Sequence, residues 1–196
     1  MRTFWIVFAL ILLSGCVTNL SSYRDTKPAF VLEDFFNGPS VAYGMVQDYT
    51  GKKIRHFCVK IDGSWAEING NLVGTIDETF HFNDGEISKR IWEITRHQHN
   101  GRTSYTGTAG DIEGVATGSA EGSVFHWNYD LKIPIADEDG EKTTYTFFID
   151  DWIYLIEPER AFNRSTIEKL GITVGEITLF FDKQLPLRSC GSVKNG

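Results

Sequence analysis

Residues Gly114-Val115-Ala116-Thr117-Gly118-Ser119-Ala120-Glu121-Gly122-Ser123-Val124-Phe125-His126-Trp127-Asn128-Tyr129 form two alternating runs around a glycine turn signal. Alternation with a period of two is the pattern of a strand with one wet face, and a short glycine turn between two such runs makes a hairpin. With Glu121-Gly122 as the turn, Phe125, Trp127 and Tyr129 lie opposite Gly118, Ala116 and Gly114. Large rings then meet small residues on one surface, which is how facing positions fill a curved interior. The opposite surface carries His126, Asn128, Asp130 and Lys132 and belongs in water.

The same reasoning extends to both sides. A three-residue loop at Asn83-Asp84-Gly85 pairs Phe80 with Ser88, Glu78 with Arg90 and Ile76 with Trp92. A two-residue turn at Asn100-Gly101 pairs Arg96 with Tyr105, Ile94 with Gly107 and Trp92 with Ala109. Further turn signals recur at Asp48-Tyr49-Thr50-Gly51, Asn69-Gly70 and Asp137-Glu138-Asp139-Gly140, between runs rich in β-branched and aromatic residues. The expected fold is all-β: an antiparallel meander of about nine or ten strands closing into a lipocalin- or calycin-like barrel, which leaves no open edge. A two-sheet sandwich is the competing architecture. One short helix is expected at Ser165-Thr166-Ile167-Glu168, which has the form of a capping box, with Gly171 as its stop. Gly63-Ser64-Trp65 has the form of the lipocalin Gly-x-Trp signature.

The chain opens on Met1-Arg2, an apolar run from Phe4 to Leu13, and Leu13-Ser14-Gly15-Cys16. A basic start, a short apolar middle and small residues at the cut describe a signal peptide, and the run is about half of what crosses a bilayer. Its last four residues resemble the bacterial lipoprotein box, which implies cleavage before Cys16 and acylation of that cysteine. Val17, in place of an aspartate, implies export to the outer membrane of a Gram-negative envelope. Expected boundaries are 1–15 for the signal, 16–28 for the lipidated tether, 29–184 for the barrel and 185–196 for a tail.

Loss of residues 1–15 takes only Arg2 among the charges and moves the net charge from −7 to −8. So acidic a body excludes nucleic acid as a partner and leaves attachment to the acyl group. Cys58 and Cys190 remain. They are expected to be a free core thiol and a loose one, with a disulfide as the alternative that an oxidising envelope permits.

Chemistry-bearing residues gather on the inner face. Arg90 and Arg96 lie among Phe80, Trp92, Tyr105, Trp127 and Tyr129, with Glu78 opposite Arg90. Such a set suits an amphipathic ligand, rings holding its apolar part and a guanidinium holding a carboxylate or phosphate. The structural alternative is mutual neutralisation of Glu78 and Arg90 with Arg96 reaching solvent beside Tyr105. His97 and His99 share the outer face with no third ligand, so a metal is not expected. Asp111, Glu113, Asp150 and Asp151 are carboxylates that could act as acid or base. They read as residues at strand ends without a nucleophile nearby, so no catalytic group and no cofactor is assigned.

Several segments together carry a family resemblance: Phe35-Phe36-Asn37-Gly38, Ala42-Tyr43-Gly44, Asp77-Glu78-Thr79-Phe80, Asp84-Gly85-Glu86, Arg90-Ile91-Trp92, Tyr105-Thr106-Gly107-Thr108-Ala109, Asp150-Asp151-Trp152 and Gly171-Ile172-Thr173-Val174-Gly175-Glu176. The chain resembles an uncharacterised family of bacterial lipoproteins known only as a domain of unknown function, DUF3833. The resemblance assigns no residue a role. The leading expectation is an outer-membrane-anchored lipoprotein, facing the periplasm, whose barrel binds a lipid or other hydrophobic acid. A structural lipoprotein docking another envelope protein is the alternative, and an enzyme acting on envelope lipid comes third.

Overall fold

Ten strands follow one another along the chain: β1 (Gly38–Asp48), β2 (Lys53–Ile68), β3 (Asn71–Phe82), β4 (Ile87–His99), β5 (Arg102–Thr108), β6 (Ile112–Glu121), β7 (Val124–Ala136), β8 (Lys142–Glu157), β9 (Arg160–Lys169) and β10 (Ile172–Asp182). The computed structural model describes residues 18–137 and 139–190; the expected signal peptide and Cys16 lie outside them. Each strand pairs antiparallel with its chain neighbour, and β10 pairs with β1, so the sheet is a closed barrel. Closure resolves the choice between barrel and sandwich.

Turn chemistry sets the register. Asn100 (φ 50°) and Gly101 (φ 74°) both occupy the left-handed region, as a two-residue primed turn requires. The ladder they start pairs Arg96 with Tyr105 and Ile94 with Gly107, as expected, and ends at Glu93–Thr108, one step short of Trp92–Ala109. The loop at 83–85 gives Phe80–Ser88, Glu78–Arg90 and Ile76–Trp92, also as expected.

The third hairpin differs. Glu121 pairs with Val124, so the turn is Gly122-Ser123, and Phe125 and Trp127 face Ala120 and Gly118. The cause is the segment before the barrel: the carbonyl of Tyr23 lies where a Gly122 Cβ would be, and the amide of Phe30 donates to the Gly122 carbonyl at 2.7 Å. A bulge between Glu113 and Thr117 then absorbs two residues, with Gly114 at φ 71°, and beyond it Ile112 pairs with Leu131. The shift of two preserves which face each ring occupies.

Ser165–Glu168 is not helical. It lies within β9, where Asn163, Ser165 and Ile167 point inward and are buried. Leu170 (φ 53°) and Gly171 (φ 75°) make the turn into β10. Two-fold alternation and pairing on both sides override the local capping pattern.

Among the described residues the α-helical segment is a single turn, α1 (Leu32–Phe35), which plugs one end of the barrel with Phe30, Leu32, Phe35 and Phe36. Gly63-Ser64-Trp65 holds the plug. A Cβ at Gly63 would overlap the Phe36 carbonyl, and that oxygen accepts the Trp65 indole N–H at 3.0 Å. Lys183 Nζ donates to the carbonyls of Asp34 and Asn37.

Cys58 and Cys190 form a disulfide, contrary to the expectation of free thiols. Cys58 lies in the barrel wall with its side chain outward, and the C-terminal segment folds over it with Leu185 and Leu187. The burial that suggested a core cysteine is supplied by that segment.

Candidate functional site

Beyond the plug, the barrel interior divides into an apolar floor and a polar layer. Trp127 lies across Gly107, whose Cβ would fall 2.9 Å from its Cζ2, and across Gly118, whose Cβ would overlap the ring. Trp92 meets Trp127 edge-on at 5.7 Å and Tyr129 at 5.4 Å between ring centres. All three rings point inward, so the face assignment stands.

Above these rings sits a layer of ionisable groups. Arg90 Nε and Nη2 donate to Asp111 at 2.7–3.0 Å, and its Nη1 stands 3.7 Å from Glu78 Oε2. Asp151, inward from β8, accepts from Asn163 Nδ2 and from Ser165 Oγ at 3.1 Å. Tyr129 hydroxyl reaches its other oxygen only at 3.4 Å. Burial raises the Glu78 carboxyl to about 7, with Asp111 and Asp151 adding to the rise and Arg90 and a hydrogen bond from Trp92 opposing it. Burial likewise lifts Asp151 to about 6, although three hydrogen-bond donors oppose it. Tyr129 is pushed up by burial and by Asp151. On Arg90 burial works against the charge, but Glu78 and Asp111 outweigh it and hold the proton.

The layer is not sealed. Glu78 and Arg90 side chains each keep 15% exposure although both are inward and mid-strand. Phe80, Phe82, Tyr129, Ile133, Phe147 and Ile177 are also only partly buried, all on inner faces toward the end opposite the plug. Solvent therefore reaches the middle of the barrel from that end.

Of the expected set, Glu78, Phe80, Arg90, Trp92, Trp127 and Tyr129 come together here. Arg96 and Tyr105 do not. They sit at the plugged end, where Glu33 lies 3.1 Å from Arg96 Nε and accepts the Tyr105 hydroxyl at 2.7 Å. Both line a groove of about 670 Å³ between the rim and residues 20–33. Each inward arginine is thus engaged by the chain's own carboxylates, and the reason for preferring an acidic ligand is gone.

Asp111 and Asp151, considered only as strand-end acids, and Asn163 and Ser165, not singled out, also belong to this layer. Asp150-Asp151-Trp152 lies in the middle of β8, not at a strand end. Its signal was present, since Ile149, Asp151, Ile153 and Leu155 alternate on one face and place a carboxylate among apolar neighbours. The helical reading of 165–168 hid Asn163 and Ser165. Asp111 does stand in a turn, between β5 and β6, and reaches Arg90 because the β4–β5 register, continued past Glu93–Thr108, sets the two across from each other.

Among solved structures, the chain is similar to an S-type phycobiliprotein lyase from Guillardia theta, at 10% identity and a TM-score of 0.51. The match covers 80% of this chain and 95% of the lyase, and it shows a shared lipocalin-like barrel. No curated protein matches in sequence. A family model described as "protein of unknown function (DUF3833)" matches residues 10–183, nearly the whole barrel and the segment before it, and the chain belongs to that family.

Proposed function

We propose that this protein is an envelope lipoprotein, held at the outer membrane through acylated Cys16, whose barrel binds a lipid or other hydrophobic molecule. The observation that carries the reading is exposure at the end opposite the plug, where the inward side chains of Glu78, Phe80, Arg90 and Tyr129 keep partial contact with solvent. A packed structural barrel has no use for such exposure. The Cys58–Cys190 disulfide suits an oxidising compartment. The likeness to a phycobiliprotein lyase supports the reading at the level of fold alone. A carboxylate-headed ligand would have to displace Asp111 from Arg90.

The test is extraction of full-length protein purified from membranes, followed by mass spectrometry of the solvent phase. One apolar molecule per protein is expected, together with release of a Cys16→Ser variant from the membrane fraction. Protein free of extractable small molecules after gentle purification contradicts the ligand reading.

One observation favours a second reading, docking of another envelope protein. Tyr154, Phe162, Phe180 and Tyr43 are successive cross-strand neighbours on the outer face of β8, β9, β10 and β1. Phe162 and Tyr43 are 47% and 42% exposed. An outward aromatic row of this kind marks interaction surfaces. Loss of a crosslinked partner on changing Phe162 to Ser would support it.

A further inference from the structure

The groove of about 670 Å³ between the plugged rim and residues 20–33 stands apart from the inner layer. Its volume lies within the ~300–1,000 Å³ usual for small-ligand sites. Three guanidiniums line it, those of Arg24, Arg96 and Arg102, together with two carboxylates, Glu33 and Glu121. Both carboxylates are spent. Glu121 lies 3.5 Å from Arg24 Nε, and Glu33 lies 3.1 Å from Arg96 Nε while it accepts the Tyr105 hydroxyl. One guanidinium is left over. The Arg102 side chain, at the start of β5, is exposed and has no carboxylate partner among the described residues. A second observation concerns where the chain enters. Leu20 lines the same groove, and Cys16 precedes it by four residues, ~14 Å at full extension. With Cys16 as the acylated residue, this rim lies against the anchoring bilayer, within reach of its lipid phosphates.

We propose that this groove receives the phosphate head group of an anionic phospholipid of the anchoring membrane, held by Arg102 with Arg96 and Arg24 beside it. The inference rests on the lipoprotein reading for the nearness of the lipid, and on the groove alone for its recognition. A guanidinium presents a planar fork of donors that fits two phosphate oxygens, and that of Arg102 is uncommitted. Ser104 and Ser119 add hydroxyl donors along the same walls. A zwitterionic head group would bring its own cation to a groove that already holds one in excess, so it binds less well. The rest of the body is acidic and repels an anionic surface. A local anion site at this rim therefore also sets which part of the barrel meets the bilayer, the plugged end and not a side wall.

The experiment uses the full-length chain carrying Cys16→Ser, so that no acyl anchor contributes. Its probes are water-soluble: dihexanoyl-phosphatidylglycerol, dihexanoyl-phosphatidylcholine and inorganic phosphate. Titration calorimetry at low salt is expected to read one site for the phosphatidylglycerol, about tenfold tighter than for either other probe. Arg102→Gln weakens that site about tenfold. Arg102 is exposed and pairs with no carboxylate, so folding is not at issue there. Lys53→Gln removes the same charge from an exposed position at the other end of the barrel and leaves the affinity unchanged. No binding of the phosphatidylglycerol, or binding that Arg102→Gln does not weaken, overturns the inference. So does an equal loss from Lys53→Gln, which would mean diffuse attraction in place of a site. Phosphatidylcholine or inorganic phosphate binding as tightly as the phosphatidylglycerol overturns the choice of an anionic lipid. Because the probes are read without an anchor, retention of Cys16→Ser protein in the membrane fraction sinks the anchoring reading and leaves the groove's chemistry standing.

Discussion

Arg90 lies directly across the β3–β4 ladder from Glu78, yet its hydrogen bonds go to Asp111, 21 residues away in the chain. Cross-strand position brings the two together, and the turn before β6 decides which carboxylate the guanidinium holds. Removal of that carboxylate strands a buried cation. Asp111→Ala is expected to destabilise the barrel by about 2 kcal/mol, read by urea unfolding, because charge-assisted bonds of this kind carry about that much.

Glu78 has the opposite sign. Its folded-state pKa of about 7 exceeds the ordinary 4.5, so the folded protein holds a proton that the unfolded chain has released. The favourable contribution is complete below about 4.5 and is lost as pH rises through 7. Asp151 acts alike between 3.8 and about 6. Groups facing Glu78 are Arg90 and Trp92 on β4, Asp111, and Asp151 on β8. Glu78→Gln is therefore expected to gain on the parent protein as pH goes from 5 to 8, reaching about 2 kcal/mol at pH 8. Melting curves of both proteins at matched pH check it, and a difference that does not change with pH contradicts the assigned burial.

Packing at Trp127 gives a third expectation. A Gly118→Ala methyl would overlap the indole and come 2.5 Å from the His126 carbonyl oxygen, which cannot move without breaking the wall. A cost of about 1–3 kcal/mol follows from overpacking. Gly110→Ala meets nothing within 4 Å and is the control. Equal unfolding midpoints for the two variants would show that the ring does not lie where described.

These cases also mark how far the sequence could be read. Turn residues and alternation were enough for the barrel and for two hairpin registers, because left-handed glycines and asparagines fix a turn locally. They misplaced the Gly122 turn, since its register depends on Tyr23 and Phe30 packing on it from far upstream. They gave six members of the inner set by parity alone. They did not show that Glu33 would take Arg96 and Tyr105, because that pairing exists only once the plug is seated; Asp111 was within reach of the reading, since the Asn100-Gly101 register continued past Glu93–Thr108 sets it across from Arg90. Local capping chemistry at 165–168 outweighed alternation in the reading, whereas pairing on both sides prevailed in the fold.

The Cys58–Cys190 bridge ties the C-terminal segment to the outer wall across 132 residues of sequence. A constraint on so long a loop is worth about 2–4 kcal/mol. Cys190→Ser is expected to lower the free energy of unfolding in urea by that amount.

The central claim is that an apolar molecule enters the barrel from the end opposite the plug and reaches Trp92 and Trp127, whose rings are buried in the empty protein. Quenching of tryptophan emission by a fatty alcohol brominated along its chain tests it most directly, since bromine quenches only on contact. Saturable quenching is expected in the parent protein, and replacing both Trp92 and Trp127 by Phe should abolish it while Trp65 and Trp152 continue to emit. Quenching that persists in the double variant, or none in the parent, contradicts the account.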